Sequence, residues 1–184
     1  MQLRNHILRC LALLGLLALF AAAVTDQERY TILEKAASDA GQQLQDGHRY
    51  AMYEYWWNIP NVQECALRSG FGHARLIVGD VKISRNTRDF RSHTWDIFLH
   101  DGKMLSLTEP WKVREFKEYK GPWHTLADSV KSQYKWAGEV AGNAGNKQIS
   151  KIGEDYVEEW PNYNIASNNC ATYVWHVMNK IRAT

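Results

Sequence analysis

Beyond residue 24 the apolar positions recur with two different periods. Thr25 followed by Glu28 makes a capping-box pair, and Leu33, Ala36, Ala37, Ala40 and Leu44 then recur three or four residues apart. That spacing predicts an amphipathic helix, with Gly47 placed to close it. Residues 50–57, "YAMYEYWW", are aromatic enough for a strand that must end by Pro60. Two apolar runs, 73–78 and 81–83, flank Gly79-Asp80, which reads as a turn. Two more, "HTWDIFL" at 93–99 and "KMLSL" at 103–107, flank His100-Asp101-Gly102, and Asp-Gly between apolar runs is a strong hairpin signal. The middle of the chain is therefore expected to form an antiparallel sheet.

Helical spacing returns after residue 122. Pro122 suits a first turn, and Leu126, Val130, Tyr134 and Ala137 predict a helix that ends in the Gly-rich "AGNAGN", 141–146. Preceded by a predicted helix and not a strand, this Gly-rich stretch lacks the expected context and Lys of a phosphate cradle, so it reads as an exposed loop. A last helix is expected from Cys170 to Ile181, buried along Ala171, Val174, Met178 and Ile181. Helix, sheet meander and then helices make an α+β chain.

The first residues belong to a different category. Arg4 and Arg9 precede an apolar run over 11–24, with Ala21 and Ala23 at small-residue spacing before a polar "TDQE". This predicts a secretory signal peptide over 1–23 and a single domain over 24–184. The apolar run is shorter than the roughly 20 residues of a spanning helix. The expected location is outside the cytosol, whether extracellular, periplasmic or in an endomembrane lumen. Loss of the leader removes two arginines and no acid, which leaves basic and acidic residues balanced. No net field then favours nucleic acid. Of the three cysteines, Cys65 and Cys170 remain, a disulfide candidate in an exported chain. No histidines are spaced as H-x-H or H-E-x-x-H, so neither a metal nor another cofactor is expected.

Cys170 is also placed for chemistry. Asn168 and Asn169 are good caps, and a cysteine in a first helical turn lies at the positive end of the dipole, which stabilises a thiolate. First-turn N–H groups are suited to hold the oxyanion of an acyl-transfer intermediate. Such a thiol needs an imidazole, usually from a distant part of the chain.

The stretch "YNIASNNCATYVWHV", 163–177, resembles the cysteine motif of the lecithin:retinol acyltransferase family. There a Tyr precedes an Asn-Cys pair at a helix start, and an aromatic residue follows three positions on, as Tyr173 does. Residues 76–107 are similar to that family's sheet, with a Gly-Asp opening, a basic loop, a His/Trp strand and an Asp-Gly hairpin. The order, histidine before cysteine, is that of a permuted NlpC-type, papain-like fold. The resemblance implies a thiol acyltransferase or hydrolase acting through a thioester on a lipid acyl ester or a peptide or other amide, with Cys170 as nucleophile.

Aligned on Trp95 and the Asp101-Gly102 turn, the family's two histidine positions fall on Thr94 and Ser106. His93 is one residue off, and a bulge near 92–94 would turn it inward as the base. His73 and His100 are reserve bases. Ser106, Asn169 and Asp96 are candidate orienters of the imidazole, and Asn169 also has a possible oxyanion role. Two other outcomes stay open: a catalytically silent secreted binding protein on the same fold, and a Cys65–Cys170 disulfide that makes Cys170 structural. Lys82, Arg85, Arg88 and Arg91 recur every three residues, which suggests either a solvated loop or a peripheral contact with anionic lipid headgroups.

Overall fold

The computed structural model describes residues 25–57, 73–99, 111–116, 131–161 and 168–184. The expected leader, Cys65, His100, Ser106 and the Asp101-Gly102 hairpin lie outside the described residues. No helix among the described residues is long and apolar enough to cross a membrane.

Helix α1 spans Asp26–Asp39 and begins as its sequence predicts. The Thr25 hydroxyl accepts from the Glu28 amide at 3.1 Å, and the Glu28 carboxylate accepts from the Thr25 amide at 2.7 Å. It ends eight residues before Gly47. Gly41, at φ +70°, lets the chain reverse, so that the Gly41 and Gln42 amides close on the carbonyls of Ser38 and Ala37. Leu33, Ala36 and Ala37 are buried, while Ala40 is only the exposed cap.

Five antiparallel strands follow: β1 (Arg49–Trp57), β2 (His73–Ile83), β3 (Arg88–Leu99), β4 (Trp111–Phe116) and β5 (Lys131–Glu139). Their order across the sheet is β4-β3-β2-β1-β5. Two sequence expectations are corrected here. Gly79-Asp80 is not a turn, because β2 runs unbroken through it. The reversal comes instead at residues 84–87, closed by the Ser84 amide on the Thr87 carbonyl at 2.9 Å. The glycine serves close approach. A Cβ at residue 79 would meet the Arg91 carbonyl oxygen at 2.4 Å and the Ser92 Cα at 2.7 Å.

The second correction concerns the helix expected over 123–142. Its described part is strand β5, which pairs with β1 along Tyr50↔Glu139 to Trp57↔Lys131. Tyr134 and Ala137, three apart, then face opposite sides of the sheet: Tyr134 packs with the α1 side and Ala137 with the other. The edge of β1 was available, and pairing with it outweighed a helical spacing only a few residues long.

Two further helices complete the described chain: α2 (Asn146–Glu159) and α3 (Cys170–Ile181). Helix α3 has the predicted bounds, and Ala171, Val174, Met178 and Ile181 are buried, joined by Tyr173 and Val177. Helix α2 is not among the elements the sequence predicts. The sheet carries a separate core on each face. Tyr50, Met52, Ile77, Val81 and Phe90 pack against Tyr30 and Leu33 of α1. Ala74, Leu76, Val78, Trp95 and Ile97 pack against α2 and α3. The end of α3 is tied to the end of β5, with the Ala141 amide donating to Ile181 and the Ala183 amide to Glu139.

Candidate active site

Helix α3 starts at Cys170 because Asn169 caps it. The Asn169 side-chain oxygen accepts from the Ala171 amide at 2.9 Å and the Thr172 amide at 3.1 Å, and the Thr172 hydroxyl accepts from the Asn169 amide at 2.8 Å. Cys170 is thus the first residue of the helix, and its thiol is free and buried. Asn169 acts here as a cap. Two first-turn amides are committed to it, which narrows the oxyanion donors expected from the helix start.

The imidazole that senses the Cys170 thiol is that of His73, the opening residue of β2, whose pKa the thiol helps to raise. Its Nε2 also lies 3.1 Å from Oδ2 of Asp96 on the adjacent strand β3. The His73 side chain is 5% exposed and that of Asp96 is fully enclosed. Burial by itself disfavours the imidazolium. The hydrogen bond to Asp96, the hydrogen bond to Cys170 and the negative charges of both outweigh it, so the His73 pKa is pushed up to about 9. A buried thiol, an imidazole and a carboxylate thus meet in one place, drawn from the start of a helix and from two neighbouring strands.

Other side chains frame this group. Tyr55 of β1 lies close enough for burial and the charge of Cys170 to raise its hydroxyl pKa. The indole of Trp175, half exposed on α3, donates to the Tyr55 hydroxyl at 3.3 Å. Tyr173 is fully buried one turn after Cys170, and burial followed by the charge of Asp96 holds its phenol protonated.

The remaining candidates fall elsewhere. His93 pairs across from Val78 in an uninterrupted register, Leu76↔Trp95 to Ile83↔Arg88, so the bulge expected near 92–94 is absent. Its ring stacks on Trp95, with centroids 5.9 Å apart. Thr94 is buried opposite Ile77. His48 is exposed and bonded to Glu139 at 2.6 Å. His176 packs on Tyr156 and Trp160 on the α2 side. Among the described residues no group of three or more His, Cys, Asp or Glu is arranged to hold a metal ion.

The basic series of residues 82–91 lies on the β2–β3 hairpin and is matched with acids. Lys82 pairs across from Asp89 and Arg91 across from Asp80, while Arg88 bonds to Glu34 at 3.0 Å. Arg85 stands at the exposed tip.

Comparison with known proteins adds nothing to this geometry. No family model, no curated protein and no solved structure matches the chain. The site stands on its own residues. Sequence reasoning ranks two of the three lower, His73 as a reserve base and Asp96 as one of three orienters. The signal that selects them is the hairpin register: counting back along both strands from Ile83↔Arg88 brings the start of β2 to the stretch of β3 that holds Asp96.

Proposed function

We propose that the protein is a cysteine-dependent acyl-transfer enzyme, an acyltransferase or hydrolase, in which Cys170 is the nucleophile, His73 the acid–base and Asp96 the group that orients the imidazole. The observation that carries this is a buried imidazole that lies 3.1 Å from the Asp96 carboxylate and whose pKa the neighbouring Cys170 thiol helps to raise. That arrangement is what activated thiols require: a base to take the proton, and a third group that holds the base in its tautomer and stabilises its cation. The antiparallel sheet, with the histidine strand before the cysteine helix, also supports a permuted papain-like fold of the lecithin:retinol acyltransferase type.

In the first step the sulfur attacks an acyl carbonyl from an ion pair in which its proton already rests on His73 as the imidazolium. A C–S bond forms and the carbonyl π pair moves onto oxygen. When the tetrahedral adduct collapses, the bond to the leaving alcohol or amine breaks, and the leaving group takes the proton from the imidazolium. A thioester on Cys170 remains. Water or an acceptor alcohol or amine then adds to it with His73 as base, and the released sulfur regains its proton. A free Cys170 and a partnered His73 favour this reading over a Cys65–Cys170 disulfide and over a silent fold. Membrane contact through Lys82, Arg85, Arg88 and Arg91 has no such support, since three of the four face acids.

The test is acylation by an activated ester such as a p-nitrophenyl acyl ester, followed by mass spectrometry. The expected product carries the acyl group on Cys170. Cys170→Ala should abolish it, His73→Ala should slow it on the order of 100-fold or more, and His93→Ala should leave it near wild type. Full-rate acylation in His73→Ala would remove the proposed base.

A further inference from the structure

An acyl-transfer site must also hold the oxygen that gains charge when sulfur adds to a carbonyl. At the start of α3 most of the donors are already committed. The Asn169 side-chain oxygen accepts from the Ala171 and Thr172 amides, and the Asn169 carbonyl accepts from the Tyr173 amide at 3.0 Å. Of the first four amides of the helix, that of Cys170 alone is not held by Asn169, and oxyanion holes draw on more than one donor. A second donor must therefore come from another element.

Tyr55 lies between the two halves of the site. On β1 its backbone pairs across from Ala74, the residue after His73. Its side chain packs in the same buried cluster as Cys170. Its hydroxyl accepts at 3.3 Å from Nε1 of Trp175, which stands five residues beyond Cys170 on α3. An indole N–H can only donate, so the phenol oxygen is the acceptor in this bond and the phenol hydrogen is directed to a second acceptor. The contrast in burial is marked: Tyr55 is 7% exposed and Trp175 is 45% exposed. An indole at the surface thus turns its one polar atom inward, onto a buried phenol. Burial, and then the charge of Cys170, push the Tyr55 pKa up against the effect of the Trp175 bond. The phenol therefore stays protonated, a neutral donor within reach of the sulfur's charge.

We propose that the Tyr55 hydroxyl is a catalytic donor that binds the acyl oxygen as sulfur adds to the carbonyl, and that Trp175 is the positioning residue that aims it. The inference rests on the acyl-transfer reading above and adds two residues to it. As the C–S bond forms and the π pair moves onto oxygen, the hydrogen bond from Tyr55 shortens and strengthens. Tyr55 keeps its proton throughout, and proton transfer stays with His73. Such a donor serves any substrate that reacts at a carbonyl, whether ester, thioester or amide. It does nothing for an electrophile that reacts at a saturated carbon.

The experiment compares two reactions of Cys170 in the full chain: acylation by a p-nitrophenyl acyl ester, and alkylation by iodoacetamide, which displaces iodide at a saturated carbon and builds no oxyanion. Tyr55→Phe keeps the ring and its packing. Acylation should fall on the order of 100-fold, while alkylation stays within about twofold of wild type. Trp175→Phe, changed at the surface, should lower acylation about 10-fold with the same selectivity, which keeps the test open should Tyr55→Phe fold poorly. The double variant should be no slower than Tyr55→Phe, because Trp175 acts through the phenol. Tyr53→Phe, whose ring centroid lies 6.0 Å from that of Tyr55, should leave both rates unchanged. Equal slowing of both reactions in Tyr55→Phe, or of neither, would overturn the proposal, since the hydroxyl would then shape the thiol's surroundings or play no part. Failure of the underlying reading looks different: wild type is then alkylated by iodoacetamide but gives no acyl-Cys170.

Discussion

His73 Nε2 and Asp96 Oδ2 stand 3.1 Å apart, with both side chains shut away from solvent. In such an enclosure a carboxylate both fixes the ring and stabilises its cation, and no water can substitute for it. Asp96→Asn keeps the size and removes the charge. The His73 titration should fall from about 9, because burial would then face weaker opposition. Acylation of Cys170 should slow on the order of 10²-fold or more, since the imidazolium loses its counterion. Ring titration by NMR and the acylation rate check the two halves separately, and an unmoved titration would take Asp96 out of the site.

The raised imidazole also links stability to pH. The pKa of His73 rises from 6.5 to about 9 on folding, so between those values the folded state holds a proton that the unfolded chain has released. Stability must then fall as pH rises through that window, because the unfolded state binds fewer protons there. The contribution is complete below about 6.5 and gone above about 9, and its size is on the order of 3 kcal/mol. Urea midpoints measured at both ends of the window should show the loss. In Cys170→Ala the loss should shrink, because the thiol is one of the groups that raise the His73 pKa.

The two ends of this site are unequally legible in the sequence. Cys170 can be placed to the residue, because Asn169 as a cap and the apolar spacing of Ala171, Val174 and Met178 are local signals that the fold leaves intact. The partner histidine depends on a register, and a register is set by the position of a turn. The choice of His93 rests on its place one residue from the aligned family position and on a bulge near 92–94, which the uninterrupted β2–β3 register does not contain; Gly79, read as a turn, instead permits the close approach of β3. The same physics explains β5 and α2. The helical spacing of Tyr134 and Ala137 yields to pairing with β1, and Ile149, Gly153 and Tyr156 of α2, buried at helical intervals, are hidden among Lys, Glu and Asp.

Asn169 offers a test of helix placement that leaves the reacting groups untouched. Its side chain satisfies two first-turn amides, and replacing a cap of this kind by Ala costs about 1 kcal/mol. Asn169→Ala should lower stability by that order and slow acylation as well, because the fraying turn is the one that carries the thiol. Asn169→Asp retains the acceptor and should recover most of the stability. If Asn169→Ala lost stability with acylation unchanged, the first turn would not be what fixes the thiol.

The most severe single change predicted away from the site is Gly79→Ala. The added Cβ would sit 2.4 Å from the Arg91 carbonyl oxygen and 2.7 Å from both the Ser92 Cα and the Phe90 ring, and two of those neighbours are backbone that cannot rotate aside. Overpacking of this kind costs about 1–3 kcal/mol or more. Gly41 provides the contrast: a Cβ added there would meet nothing within 4 Å, so Gly41→Ala should cost about 1 kcal/mol through its φ of +70° alone. The two substitutions should also separate in function. Relief of the clash at residue 79 requires β2 and β3 to part or shift, and those two strands carry His73 and Asp96. Gly79→Ala should therefore weaken acylation of Cys170 even below its melting temperature, whereas Gly41→Ala, which only loosens the end of α1, should leave the rate unchanged.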